Sequence, residues 1–320
     1  MTRALLLLAL AALTSLLPPS ARAEDTGAPV EIEGAREHVL KSSVNGTMLR
    51  ILVWSPPGAP PESGFPVVYA FDGDKNFGLF SDSARELVFR ARRTGRQPAV
   101  VVGIGYPRGE YTLAKRNFDL TPPADHYEMP PRPNGAPWPT MGGGTMFLDT
   151  VENDIRPFVQ QHYPVNPQRA ALFGHSFGGM MVLHSLFNRT DNYAAYIAAS
   201  PSIWFNRKAV YRDAEAFLQR DAPPGRPNAA LRITVGGDEQ SLGEWEQGTD
   251  EALAKRRQWL ATNRMVDNAR DLTALITRHG KDRIDLEFEI VRGEGHGSVI
   301  PDAVYDAIWF TISHSQGMPR

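Results

Sequence analysis

At 320 residues, with 42% hydrophobic and 22% charged side chains, the chain has enough apolar material for one large domain or at most two. A formal net charge of −2 gives no general pull toward nucleic acid or an anionic membrane, so neither is expected as a partner. Cysteine is absent, which excludes a thiol nucleophile, a Cys-based zinc site and any disulfide, and the core must hold unaided.

The N-terminus reads differently from the rest. Arg3 precedes a run over 4–17 that is nearly all Leu and Ala, Pro18-Pro19-Ser20 breaks it, and Ala21-Arg22-Ala23 fits an A-x-A cleavage site. The pattern predicts a secretory signal peptide over 1–23, too short for a comfortable membrane span. An uncleaved anchor is the alternative. No later stretch is long and apolar enough to cross a bilayer, so the mature protein is expected to be secreted, periplasmic if the source is Gram-negative, with no stable span after cleavage. Residues 24–37 are polar and read as an irregular leader, and 38–320 as a single domain.

Within that domain, His38-Val39-Leu40 and the run 48–54 flank Asn45-Gly46, a strong hairpin signal. Continuous apolar runs at 66–71 and 99–104 have the composition of strands buried on both faces of a parallel sheet. A helix is predicted over 86–93 and another over 149–161. Strands follow at 170–173, 196–200 and 231–235, with a helix through 251–279. Residues 286–291 alternate apolar and charged, as an edge strand does, and 304–313 makes a last helix. Strands alternating with helices predict an α/β fold with a mainly parallel sheet. Residues 106–144 break the alternation: rich in Pro, Gly, Arg and Tyr and without periodicity, they read as a long lid-like insertion beside a site. A disordered surface insertion is the competing reading.

Ligands of such sheets bind outside the carboxyl ends of the strands, and that is where the chemistry-bearing motifs fall. Gly174-His175-Ser176-Phe177-Gly178, preceded by a strand and followed by a helical run, matches G-x-S-x-G, the sharp turn that exposes a nucleophilic serine. A serine hydroxyl needs a general base, and the base needs an orienting acid. In the α/β-hydrolase fold the chain order is Ser, acid, His. His279, His296 and His314 lie far enough downstream of Ser176. His279 ends a helix before Gly280 and reads as a cap, and His314 reads as part of a frayed C-terminal tail. His296 sits in Gly293-Glu294-Gly295-His296-Gly297-Ser298, where glycines let the loop turn the imidazole inward. For the acid, Glu239 is preferred with Asp238 close behind, both just beyond the strand at 231–235; Glu246 and Asp250 are further candidates. A helix-capping role is the bland reading of these carboxylates.

Backbone N–H groups of Phe177 and of the Asp72-Gly73-Asp74 turn, with Gly73 allowing close approach, are the positional candidates for an oxyanion hole. His175 reads as a packing or elbow residue. Trp138 and Trp204 are candidates for an aromatic pocket wall, with core filling an equal reading of a lone Trp; Arg108, Arg116 and Arg132 make the insertion locally basic, compatible with an anionic substrate, solvated surface arginines being the default reading.

The blocks 172–179, 196–204 and 293–298 together resemble the esterase-D-like family of α/β-hydrolases. The resemblance is greatest to the branch of siderophore trilactone esterases that act on enterobactin, salmochelin and bacillibactin. Arg116-Asn117-Phe118-Asp119-Leu120-Thr121-Pro122 and Gly142-Gly143-Gly144 also look like that branch, and the likeness runs from about Val67 to Ile312. It implies a Ser176–His296 pair, ester hydrolysis through an acyl-enzyme, and no metal or organic cofactor. For some periplasmic members the family pattern is a Ser–His dyad, so the resemblance leaves the acid open. It also implies an anionic aromatic substrate, ferric or free catecholate, met by Arg116 and Trp138. The family includes feruloyl and acetyl esterases of carbohydrates, which is the alternative substrate class; a non-catalytic ligand-binding protein on the same fold is the alternative from outside enzymes.

Overall fold

The structure is a computed structural model that describes residue 27 and residues 30–221, 229–243, 246–280 and 282–314. The expected signal peptide, 1–23, lies outside these residues, as does part of the expected leader. The described residues from Ile32 onward form one compact unit.

The turn at Asn45-Gly46 joins β1 (Ala35–Lys41) to β2 (Met48–Trp54), which pair antiparallel from Ala35↔Trp54 to Lys41↔Met48. Gly46 takes φ 76, the left-handed conformation such a turn requires. The first strand starts inside the expected leader because Ala35, Arg36 and Glu37 complete the ladder opposite β2, and Arg50 adds an ion pair to Glu37 at 2.8 Å.

Every residue of β3 (Phe65–Ala70) and β4 (Val100–Gly105) is buried, as the continuous apolar runs demand. With β5 (Val165–His175), β6 (Ala195–Ala199), β7 (Ala229–Gly236) and β8 (Ile284–Val291) they complete an eight-stranded sheet of order β1-β2-β4-β3-β5-β6-β7-β8. The pairs β1–β2 and β2–β4 are antiparallel and the remaining pairs parallel.

Alternate strand residues divide the core between the two faces. Val68, Ala70, Val101 and Phe173 pack under α1 (Gly73–Arg93) and α9 (Ile300–His314). Val67, Tyr69, Leu172 and Ile233 pack with the other helical layer. That layer includes α5 (Phe177–Asn188), α6 (Phe205–Gln219) and α8 (Met265–His279). No helix among the described residues is long and apolar enough to cross a membrane.

Several helices depart from the sequence expectation. The first begins at Gly73, directly after β3, rather than near 86: Phe77, Phe80, Ala84, Leu87 and Ala91 form a buried stripe at helical spacing that outweighs the intervening Gly and Ser. The insertion 106–144 is not wholly irregular, since it contains α2 (Leu113–Asp119), whose Thr112 side chain accepts from the Lys115 N–H at 3.1 Å. Helical backbone runs through α3 (Gly144–Thr150), a π-turn (Val151–Ile155) and α4 (Arg156–His162), starting earlier than expected. The single helix expected over 251–279 is two, α7 (Asp250–Asn263) and α8, broken where Arg264 takes φ 46.

Candidate active site

Ser176 stands between β5 and α5 with φ 63 and ψ −120, a conformation rarely adopted by non-glycine residues. It is held on both sides: its N–H donates to the Ala199 carbonyl at 3.0 Å, and its own carbonyl accepts from Met180 at 3.0 Å. Gly174 permits the sharpness of the turn, because a Cβ there would collide with the backbone of Gly178 on the emerging helix.

Three strand ends converge on this serine. His296, in the loop between β8 and α9, places Nε2 3.0 Å from Ser176 Oγ. Its Nδ1 lies 2.6 Å from Glu239 Oε2, just beyond β7. The Glu239 side chain is fully buried, and its other oxygen accepts from the Gly236 N–H at 2.7 Å and from the Ser200 hydroxyl. These fixed donors aim the carboxylate at the imidazole, and with Glu239 accepting at Nδ1, the Nε2 lone pair faces the serine. Asp238 instead contributes a backbone bond to the Glu294 carbonyl at 3.0 Å, Glu246 pairs with Arg256 at 3.2 Å, and Asp250 opens α7. Of the downstream histidines, His279 ends α8, and His314 is the last residue of α9 rather than part of a frayed tail.

The site opens into a cavity of about 510 Å³, inside the range of roughly 300–1,000 Å³ usual for small-molecule sites. Trp138 from the insertion, Trp204 from the loop after β6 and Trp259 from α7 wall it. Their ring centroids lie 5.8 Å (138–204), 6.3 Å (138–259) and 5.6 Å (204–259) apart. Phe177 completes the aromatic surface 6.3 Å from Trp138. Arg132, Arg256 and Asn263 line the same space, and Ser202 places its hydroxyl 3.4 Å from that of Ser176.

Two expected site residues are placed differently. Arg116 lines the cavity but is 8% exposed, and its guanidinium is engaged with both carboxylate oxygens of Asp72 and, at 3.2 Å, with the His175 carbonyl. It is not a free cation awaiting an anion, because a buried arginine must be matched from within the protein. Gly73 is the first residue of α1 and is not among the residues lining the cavity. Its missing side chain serves close packing, since a Cβ would strike the Gly103 backbone in β4.

His175 is more than elbow packing. Its Nε2 lies 2.7 Å from the His296 carbonyl; a carbonyl only accepts, so this nitrogen carries the proton. Burial first, then neighbouring His296, Arg116 and Lys75, push the imidazole well below the ordinary histidine range. Ser200, Ser202, Trp259, Arg256 and Asn263 were not singled out by the sequence. Ser200 and Ser202 lie in the Ser-Pro-Ser that follows β6, a strand-end position that could have flagged them. The other three lie on α7, where a lone Trp reads as core.

The Esterase family model matches residues 42–274. The chain is 32% identical over 286 residues to the ferri-bacillibactin esterase BesA of Bacillus subtilis, covering 89% of this chain and 92% of that one. It is 35% identical over 263 residues to the siderophore enterobactin esterase of Emericella nidulans, covering 81% and 86%. Its structure matches the siderophore hydrolase EstA from Aspergillus nidulans with a TM-score of 0.79 and 31% identity, over 90% of this chain and 98% of that one. With these similarities, the eight-stranded sheet is the α/β-hydrolase fold, and the chain belongs to the Esterase family as a carboxylic ester hydrolase.

Proposed function

We propose that this protein is an exported serine esterase that opens the trilactone backbone of a catecholate siderophore through an acyl-enzyme. The observation that carries the reading is the chain of contacts Ser176–His296–Glu239 at the mouth of a cavity walled by three tryptophans. In the first half-reaction Ser176 Oγ attacks an ester carbonyl carbon while His296 Nε2 takes the hydroxyl proton, and Glu239 stabilises the resulting imidazolium. The tetrahedral intermediate collapses, the C–O bond to the leaving alcohol breaks, and His296 returns the proton to that oxygen. Water then attacks the acyl-enzyme with His296 again as base, releasing the carboxylic acid and restoring Ser176. The Phe177 N–H, at the first residue of α5, is proposed as an oxyanion donor.

The tryptophan wall suits flat aromatic rings, and Arg132 and Arg256 supply positive charge on the same surface; the Arg132 guanidinium lies 5.5 Å from the Trp138 ring centroid. Relatives named for esters of bacillibactin and enterobactin support the same substrate class. Export is proposed from the Leu/Ala run and A-x-A pattern of residues 1–23.

Purified protein and Ser176→Ala are incubated with an enterobactin-type trilactone and, separately, with a feruloylated sugar, and the products are separated chromatographically. Linear trimer or monomer from the trilactone, abolished in the variant, is the expected result. Turnover of the sugar ester alone would replace the siderophore reading, and undiminished activity in Ser176→Ala would remove the serine mechanism.

A further inference from the structure

We infer that His175 is a positioning residue for the hydrolysis, one that fixes the backbone of His296 and couples it to the nucleophile elbow. The inference rests on the proposed roles of Ser176 and His296. His296 is flanked by Gly295 and Gly297, which offer no side chains to pin the loop, and its own side chain is 40% exposed. Around it the loop is held by Gly295 N–H to Ser298 Oγ at 2.9 Å, Val299 N–H to Gly295 O at 3.2 Å and Ile300 N–H to Gly297 O at 3.4 Å. At His296 itself the donor is the His175 ring, reaching across 121 positions of sequence to the carbonyl at 2.7 Å. The two imidazoles lie side by side with centroids 4.6 Å apart, so the His175 ring also supports the face of its neighbour.

The anchor is itself anchored. The His175 carbonyl accepts from Arg116, whose guanidinium is held by Asp72 at the end of β3. The residue before the nucleophile thus joins three segments: the β3–α1 turn, the insertion helix α2 and the histidine loop. A rigid link of this kind matters because serine and imidazole come from separate strand ends, and a loop free to drift would lose the 3.0 Å approach between them. The charged groups that face His175 are Lys75 on α1 and Arg116 on α2, with the titratable His296 beside them.

The test compares the full chain with His175→Phe, which keeps a buried ring without the N–H, and His175→Gln, whose amide restores a donor at similar reach. Each is measured for kcat and KM on p-nitrophenyl butyrate, normalised to fluorophosphonate-titrated sites and accompanied by Tm, with Ser176→Ala as the control. His175→Phe is expected to lose about ten- to a hundred-fold in kcat with little change in KM, the size of loss that misplacing a reacting group brings. His175→Gln is expected to recover most of it. If Ser176→Ala retains turnover, the serine reading falls and the inference with it. If Ser176→Ala is inactive while His175→Phe keeps normal kcat, the inference alone is overturned. If the phenylalanine variant is poorly folded, His175→Met, another apolar side chain without the donor, takes its place: a loss of about ten- to a hundred-fold in kcat that the glutamine variant recovers supports the inference, and normal kcat overturns it.

Discussion

Arg116 and Asp72, 44 positions apart, meet as a buried two-point ion pair beneath the nucleophile elbow, with the guanidinium also donating to the carbonyl of the residue before Ser176. Removing one partner leaves the other charge buried and unmatched, which typically costs about 3–5 kcal/mol. Arg116→Met is therefore expected to lower Tm sharply, and adding Asp72→Asn to recover part of the loss. Thermal denaturation of the two single variants and the double variant checks this. A single variant with unchanged Tm and only a raised KM for anionic esters would instead make Arg116 a substrate clamp.

Glu239 and Asp238 are neighbours in sequence with opposite surroundings. Glu239 is buried and holds the imidazole at 2.6 Å, while the contribution of Asp238 is a backbone bond. Glu239→Gln is expected to reduce kcat about 10³- to 10⁴-fold, as loss of the orienting acid does elsewhere. Asp238→Asn is expected to stay within a few-fold of the parent. Steady-state kinetics of the pair separates them, and equal activity in both would mean that the serine and histidine work as a dyad.

The parts of this site that sequence could reach were those with a local signature. Ser176 announced itself by the glycines that a strand-to-helix turn requires, and His296 by a glycine-rich loop after the last strand. Glu239 was separable from Asp238 only by packing, because which carboxylate turns inward depends on Ser200 and Gly236, residues that reach it through the fold. Arg116 looked like a free cation because its partner lies at the end of another strand. Arg264 carries no Gly or Pro to mark the break between α7 and α8, so Trp259 remained hidden in an apparently continuous helix. Left-handed backbone at Asn206, Arg207 and Lys208 likewise disrupts the start of α6, a helix the sequence pattern did not show.

The tryptophan wall makes a prediction about acyl-group preference. Aromatic contacts are worth about 0.5–1.5 kcal/mol each beyond burial, so Trp259→Ala is expected to lower kcat/KM for an aryl ester by up to roughly tenfold. An acetyl ester, too small to reach from Ser176 to all three rings, should be affected less. Parallel assays of ethyl acetate, which carries no ring, and a catecholate trilactone check this, and equal losses on both would place Trp259 in the scaffold rather than in recognition.

His175 also ties stability to pH. Burial and its positive neighbours hold the imidazole neutral in the folded protein well below the ordinary range. The unfolded chain takes up a proton as pH falls through about 6.5, which the folded state refuses. The unfolded state therefore binds more protons, and folding stability drops with falling pH below that point, by up to about 1.4 kcal/mol per pH unit from this group. His38, partly buried and shifted in the same direction, adds a slope of the same sign that a change at His175 leaves in place. His175→Phe carries no such proton uptake. Its Tm deficit relative to the parent should therefore shrink as pH is lowered from about 7.5 to 5, and melting curves that stay parallel across that range would mean that His175 titrates normally in the folded state.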